Sequence, residues 1–304
     1  MLRRPLAGLL LIVCLLPAAL ATSAAVVEAP QPSLLRQVGP GTVDWRSRRV
    51  IVIGTGQIDT VHPEAQARLL GRRAAVADAY RQLAETVNGV QVTVSYTARA
   101  ITTKNRVVET RVQGLIKGAK PGEPTYTPDG RVTVPMCMPL FGTAGLAWGL
   151  ELGQLVKTLS RSPMPTAALD AVGPMGSWMA ALLPSFVLVA AAATGIIIDA
   201  GGLGVEPAMA PFVLGVGQRV YVSGKVAVDP DRVLQEGITT YAGDLAEAKA
   251  NTARLGNNPM IFTARGVVGR PSTDILVSSE DAIRIEQLNQ QFHLLDQLKV
   301  TVVI

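Results

Sequence analysis

Gly54-Thr-Gly56-Gln-Ile-Asp59 follows an apolar run and precedes a helical pattern, the order in which a glycine loop that cradles a dinucleotide stands. The third glycine is replaced by Asp59, and the helix begins several residues too late to offer its N-terminus to a pyrophosphate. A glycine turn after a strand is the simpler reading. Gly114-Leu-Ile-Lys117-Gly118 lacks the spacing and the following hydroxyl of a phosphate loop. The histidines are His62, before Pro63 near a helix start, and His293, near a helix end. Both read as surface or capping residues. Cys137 sits in Val132-Thr-Val-Pro-Met-Cys137-Met, a strand-like run, and reads as a small buried apolar side chain. No Gly-x-Ser-x-Gly elbow is present.

Ile196-Ile-Ile-Asp199-Ala-Gly201-Gly202 resembles the strand motif of zinc-dependent peptidoglycan amidases. Those enzymes carry a histidine between the glycines, whereas here Gly201 and Gly202 adjoin and no histidine follows until His293. A catalytic zinc needs three protein ligands. The expectation is therefore a strand whose Asp199 caps a tight glycine turn, with no metal, no cofactor and no catalytic residue.

These residues need a scaffold. Arg49–Ile53 reads as a strand and Glu64–Val87 as a helix, its small residues Ala67, Ala74 and Ala77 recurring with Leu70, Tyr80, Leu83 and Val87 at three- and four-residue spacing. Val90–Tyr96 alternates as a half-buried strand, and Arg106–Ile116 reads as another, with Val108, Thr110 and Val112 on one face. Pro128-Asp-Gly130 marks a turn before the returning strand Arg131–Met138. Further strands are expected near 186–198, 211–215, 219–224, 260–265, 274–277 and 298–304, with helices near 240–254 and 279–292. The final strand is expected to dock inside its sheet. The fold class is α+β: two small α/β-sandwich-like domains, each with helices on a mostly antiparallel sheet. The boundaries are a linker at 22–48, a first domain at 49–141, a Gly/Pro/Ala connector at 142–185 and a second domain at 186–304.

The first thirty residues read as an address. Arg3 and Arg4 precede the apolar run Leu6–Leu16, and Ala19-Leu-Ala21 fits the small-x-small cleavage pattern, so 1–21 is expected to be a signal peptide. Val13 before Cys14 is not the small residue a lipidation box requires. Cleavage would leave Cys137 as the single cysteine, unable to form an internal disulfide. Met175–Ile198 carries no charge and is long enough to span a bilayer. Pro184 and Gly195 interrupt it, and Gly195-Ile-Ile-Ile-Asp199 reads as a core strand, so a loop or short helix leading into a strand is preferred to a span.

Composition narrows the classes further. With 48% hydrophobic and 17% charged residues the chain is no solvated coil. Its net charge of +5 is scattered and not interleaved with aromatics, which argues against nucleic acid.

The segments Gly54-Thr-Gly56, Ala67 to Val90, Val112-Gln-Gly114-Leu-Ile-Lys117-Gly118-Ala119 and Asp129-Gly130-Arg-Val-Thr-Val together resemble bacterial envelope proteins with a domain like the N-terminal domain of flagellar assembly protein T. That group includes small outer-membrane lipoproteins. The resemblance spans residues 49–140, while Asp199-Ala-Gly-Gly-Leu-Gly204 and Asn257-Asn-Pro259 look like a companion domain. It implies a non-enzymatic periplasmic or outer-membrane-associated domain that binds partners. The middle region of the flagellar protein is lacking, so a flagellar role does not transfer. The expected partners are other envelope proteins, with a flagellar or secretion assembly as one candidate. Arg68, Arg72, Arg73 and Arg81 on the long helix are the expected partner-binding residues, and the same basic face could touch anionic lipid peripherally. The alternative is a cell-wall hydrolase or ligand-binding protein with a pocket near Asp199.

Overall fold

A computed structural model describes residues 34–161, 192–224 and 226–304. The expected signal peptide and most of the charge-free segment 175–198 lie outside these residues. The first sheet is built on two long strands, β3 (Arg49–Gln57) and β7 (Arg131–Pro139), paired antiparallel over nine residues from Arg49↔Pro139 to Gln57↔Arg131. β1 (Leu35–Val38) and β2 (Gly41–Asp44) extend it on one side and β6 (Thr125–Tyr126) on the other. Residues 35–44, expected as linker, are therefore part of the sheet: the turn at 39–40 folds one short strand back on the other.

Alternation along β3 and β7 sends Val50, Val52, Val132, Val134, Met136 and Met138 to the buried face. That face receives α1 (Glu64–Gly89), whose buried residues Ala67, Gly71, Ala75, Ala79, Leu83 and Val87 repeat every fourth position. Gly54 and Gly56 are not a turn but lie within β3, under the helix. A Cβ on Gly54 would stand 2.1 Å from the Ala75 carbonyl oxygen, and one on Gly56 2.2 Å from that of Gly71. The glycines exist to let a helix backbone approach a strand.

β2 stops pairing with β3 at Ile51, which leaves the further edge of β3 without a strand partner on that side among the described residues. Side chains of α1 take its place. The Asp78 carboxylate accepts from the Thr55 N–H at 2.9 Å, and Gln82 Nε2 donates to the Ile53 carbonyl at 3.1 Å. The Thr55 N–H, with Arg81, Gln82 and the Thr55 hydroxyl, holds the Asp78 carboxyl at about 2 against the opposing effect of burial. A carboxyl depressed in the folded state stabilises the fold above the pH at which it titrates when unfolded, near about 4, and stops doing so as pH falls through about 2. Asp78→Ala is expected to cost about 1–2 kcal/mol at pH 7, and the gap between it and the wild type should narrow below about pH 4 and close as pH falls through about 2 in urea titrations. A gap independent of pH would show that the ionised carboxylate is not the stabilising form.

Arg106–Ile116 is a helix, not a strand. Asn105 caps α3 (Arg106–Gly118), its side-chain oxygen accepting from the Val107 and Val108 N–H groups. Val108 and Val112, four apart, are its buried residues; Thr110 lies between them by sequence and not in space. The strand expected at Val90–Tyr96 shortens to a hairpin of β4 (Gln91–Thr93) and β5 (Tyr96–Thr97), followed by α2 (Ala98–Thr102). α4 (Leu146–Gly149) and α5 (Leu152–Arg161) follow the sheet.

In the second half the α+β class holds, with one departure: its main sheet is parallel. The order is β11 (Thr240–Ala242), β15 (Val300–Val303), β8 (Gly195–Asp199) and β12 (Pro259–Thr263). Parallel neighbours need crossovers, and the intervening helices supply them. β15, at the end of the sequence, lies inside the sheet as expected. Ile197, Ala242 and Val303 pack on one face against Ala248 and Leu255, from α7 (Leu245–Ala250) and α8 (Thr252–Leu255). Those short helices and β11 replace the single helix expected at 240–254.

A smaller mixed sheet holds β10 (Gln218–Tyr221), β9 (Val213–Gly215), β14 (Asp274–Leu276) and β13 (Gly266–Val268). α9 (Ser279–Phe292) packs on it; its cap is Ser278, whose Oγ accepts from the Asp281 N–H at 3.0 Å. α6 (Pro230–Glu236), capped by Asp229, was not anticipated. The described residues fall within one compact unit, and a single apolar cluster runs from Val50 and Met138 to Ile198 and Val302. Trp45 and Tyr241 meet within it edge to face, ring centroids 5.5 Å apart.

Candidate functional site

The four arginines expected on α1 differ in their pairing. Arg68 pairs with Glu64 at 2.8 Å and lies over the Tyr126 ring. Arg81 bridges Asp78 and Glu85, both at 2.7 Å. Arg72 and Arg73 are exposed and make no ion pair among the described residues. Leu69, one turn before them, is 48% exposed, and Tyr126 beside Arg68 is 40% exposed. Two cations without acidic partners thus share a helix face with an exposed leucine, and an exposed tyrosine lies beside that face.

Asp199 behaves as a turn residue. Its carboxylate accepts from the Gly201 N–H at 3.1 Å, two residues along its own chain. His62 faces Asp59 at 3.0 Å and His293, the left-handed cap of α9, faces Asp296 at 2.9 Å. Among the described residues, no three His, Cys, Asp or Glu side chains are grouped as a metal site requires. Cys137 is exposed, not buried. Strand parity decides this: Met136 and Met138 point inward, so Cys137 falls on the open face opposite Ile51.

A cleft of about 510 Å³ lies elsewhere, where the turn between β2 and β3 meets β11, α6, α7 and α8. Arg48 reaches it from a left-handed backbone position, φ 56°, an uncommon and costly conformation for a residue with a Cβ. Its Nη1 donates to the Glu236 carbonyl at 3.1 Å. Arg254, at the end of α8, donates through Nη1 to that same oxygen at 3.1 Å, through Nη2 to the Gly237 carbonyl at 2.9 Å and through Nε to the Val300 carbonyl at 3.1 Å. The Glu236 and Gly237 carbonyls stand at the C-terminal end of α6, which suits cations. The two Nη1 atoms can be no further apart than twice 3.1 Å. Like charges at that range repel by roughly 3 kcal/mol at a protein-surface dielectric. Burial lowers the pKa of Arg254; Tyr221 and Glu236 oppose this, and Arg48 and Arg232 add to it.

The acids beside the cleft are engaged. Glu247 takes Arg46 in a two-point grip at 2.6 and 2.9 Å, and Glu236 pairs with Arg232 at 3.2 Å. Thr240 and Thr301 share a hydroxyl hydrogen bond of 2.8 Å, and Asn251 Nδ2 donates to Thr240 at 3.4 Å. Asp199 is not among the lining residues.

Residues 195–304 match the family described as Treponema pallidum Tp0624, second domain. The match runs from β8 through β15. No curated protein matches the chain. The stretch similar to the Tp0624 second domain holds both Thr240 and Arg254 and the parallel sheet beneath them, while Arg46 and Arg48 come from outside it. Sequence reasoning missed this cleft because Arg48 and Arg254 are far apart in sequence and neither stands in a motif. The one local signal is that Arg48 occupies a hairpin turn where glycine or asparagine is the usual residue.

Among the described residues, no helix is long and apolar enough to cross a membrane.

Proposed function

We propose that the chain is a non-enzymatic protein of the bacterial envelope that is exported and holds other envelope components together through its surfaces. The observation that carries this reading is the face of α1 with Leu69, Arg72 and Arg73, and Tyr126 beside it. Arginine and aromatic side chains are enriched in protein interfaces, and here two arginines lack the carboxylates that tie up Arg68 and Arg81. The resemblance of residues 49–140 to the N-terminal domain of flagellar assembly protein T supports an envelope domain that binds partners, with flagellar, secretion and outer-membrane assemblies as the candidates to seek.

The test is in-cell cross-linking followed by recovery of the chain and its companions. Arg72→Glu with Arg73→Glu should remove the companions while the melting profile stays that of the wild type, since surface substitutions of this kind change stability by about 0.5 kcal/mol or less. Arg81→Gln, which touches an arginine already paired, should leave capture intact. Unchanged recovery in the double variant would take α1 out of the reading.

A further inference from the structure

We infer that the cleft between the β2–β3 turn and the α7–α8 pair binds the phosphate-monoester head of a small polar molecule, gripped by Arg48 and Arg254. This goes beyond the scaffold reading and does not depend on it.

Charge is the first argument. Arg46 and Arg232 are matched by Glu247 and Glu236, which leaves Arg48 and Arg254 held by carbonyls and by no carboxylate. Two uncompensated guanidinium groups converging on one oxygen call for a dianion, and a phosphate monoester carries between one and a half and two negative charges near neutral pH. Hydrogen bonding is the second. A guanidinium offers five N–H groups. Two on Arg254 and four on Arg48 make no hydrogen bond among the described residues. Planar N–H forks of this kind match the oxygens of a phosphate. Size is the third. At about 510 Å³ the cleft falls in the range of small-molecule sites and far exceeds one phosphate. The hydroxyls of Thr240 and Thr301 and the amide of Asn251 provide partners for a hydroxylated remainder.

The experiment is phosphorus NMR titration of the full chain with inorganic phosphate and with glycerol 3-phosphate, chloride holding the ionic strength constant. Saturable binding of both is expected. Arg48→Gln should weaken it about tenfold or more, the effect of losing one charge-assisted contact. That variant keeps its fold, because Arg254 still serves the Glu236 carbonyl. Arg72→Glu with Arg73→Glu should bind as the wild type does, which separates the cleft from the face of α1. No saturation, or equal affinity in the wild type and Arg48→Gln, overturns the inference. Flotation with phosphatidylcholine vesicles containing phosphatidate separates the two sources of such a head. Co-flotation that Arg48→Gln abolishes assigns a lipid; glycerol 3-phosphate binding without co-flotation assigns a soluble metabolite.

Discussion

Gly54→Ala is expected to destabilise the fold by about 3 kcal/mol or more, the upper end for overpacking a close contact. The added methyl would meet backbone, not a side chain that could turn aside: Ala75 O at 2.1 Å and Ala79 N at 2.4 Å. Relief requires α1 to lift from β3. That movement would also pull Asp78 away from the Thr55 N–H and Gln82 from the Ile53 carbonyl. Net stabilities of domains are about 5–15 kcal/mol, so the variant is expected to melt far below the wild type. Gly114→Ala provides the control. Gly114 is exposed within α3 and a Cβ there meets nothing within 4 Å. It should raise stability by about 0.5–1 kcal/mol, the helix preference of alanine over glycine. Urea unfolding of the two variants measures both. Equal midpoints would show that the helix and strand are not in the close contact described.

Asp274→Asn is expected to change the pH dependence of stability more than any other single substitution considered. Asp274 is 1% exposed. Burial lifts its carboxyl to about 6, while the Phe212 N–H, the Thr273 hydroxyl and the Arg219 charge hold it back. In an unfolded chain the same group titrates near about 3.9. Between those values the folded state binds the extra proton, so the stability contributed by protonation is complete below about pH 4 and lost as pH rises through about 6. The shift corresponds to roughly 2–3 kcal/mol. An asparagine can accept the same two hydrogen bonds, now 3.2 Å each from Phe212 N and Thr273 Oγ1, without a charge to bury. The variant should therefore be flat from pH 4 to 8 and more stable than the wild type at pH 8. Parallel unfolding profiles would refute this.

Much of the framework was legible in the sequence because it rests on local periodicity. The long helix, the returning strand to Met138 and the helix ending at Phe292 all follow from spacing that one face of a core imposes. Arg106–Gly118 misled because Val108, Thr110 and Val112 satisfy a period of two while Val108 and Val112 also satisfy a period of four. Asn105, with Glu109 in the first turn, was the cue that separates the two. Gly54 and Gly56 were visible as unusual residues, but their purpose depends on a helix whose approach distance no sequence pattern states. Of the expected partner-binding arginines, Arg72 and Arg73 make no ion pair among the described residues. Arg68 and Arg81 are paired, their acidic partners lying one turn away on the same helix. The Arg48–Arg254 pair arises from tertiary folding alone.

The position of β15 has a consequence for synthesis. It lies between β11 and β8 yet is the last of the four strands to be made. Until residues 300–303 leave the ribosome, β8 carries one empty edge and side chains at Ile196, Ile197 and Ile198 that are fully buried in the finished protein. At ribosomal rates of roughly 5–20 residues per second, making residues 200–299 takes on the order of ten seconds. For that interval the nascent chain offers an apolar strand to any holding chaperone, or to the β15 of a neighbouring copy.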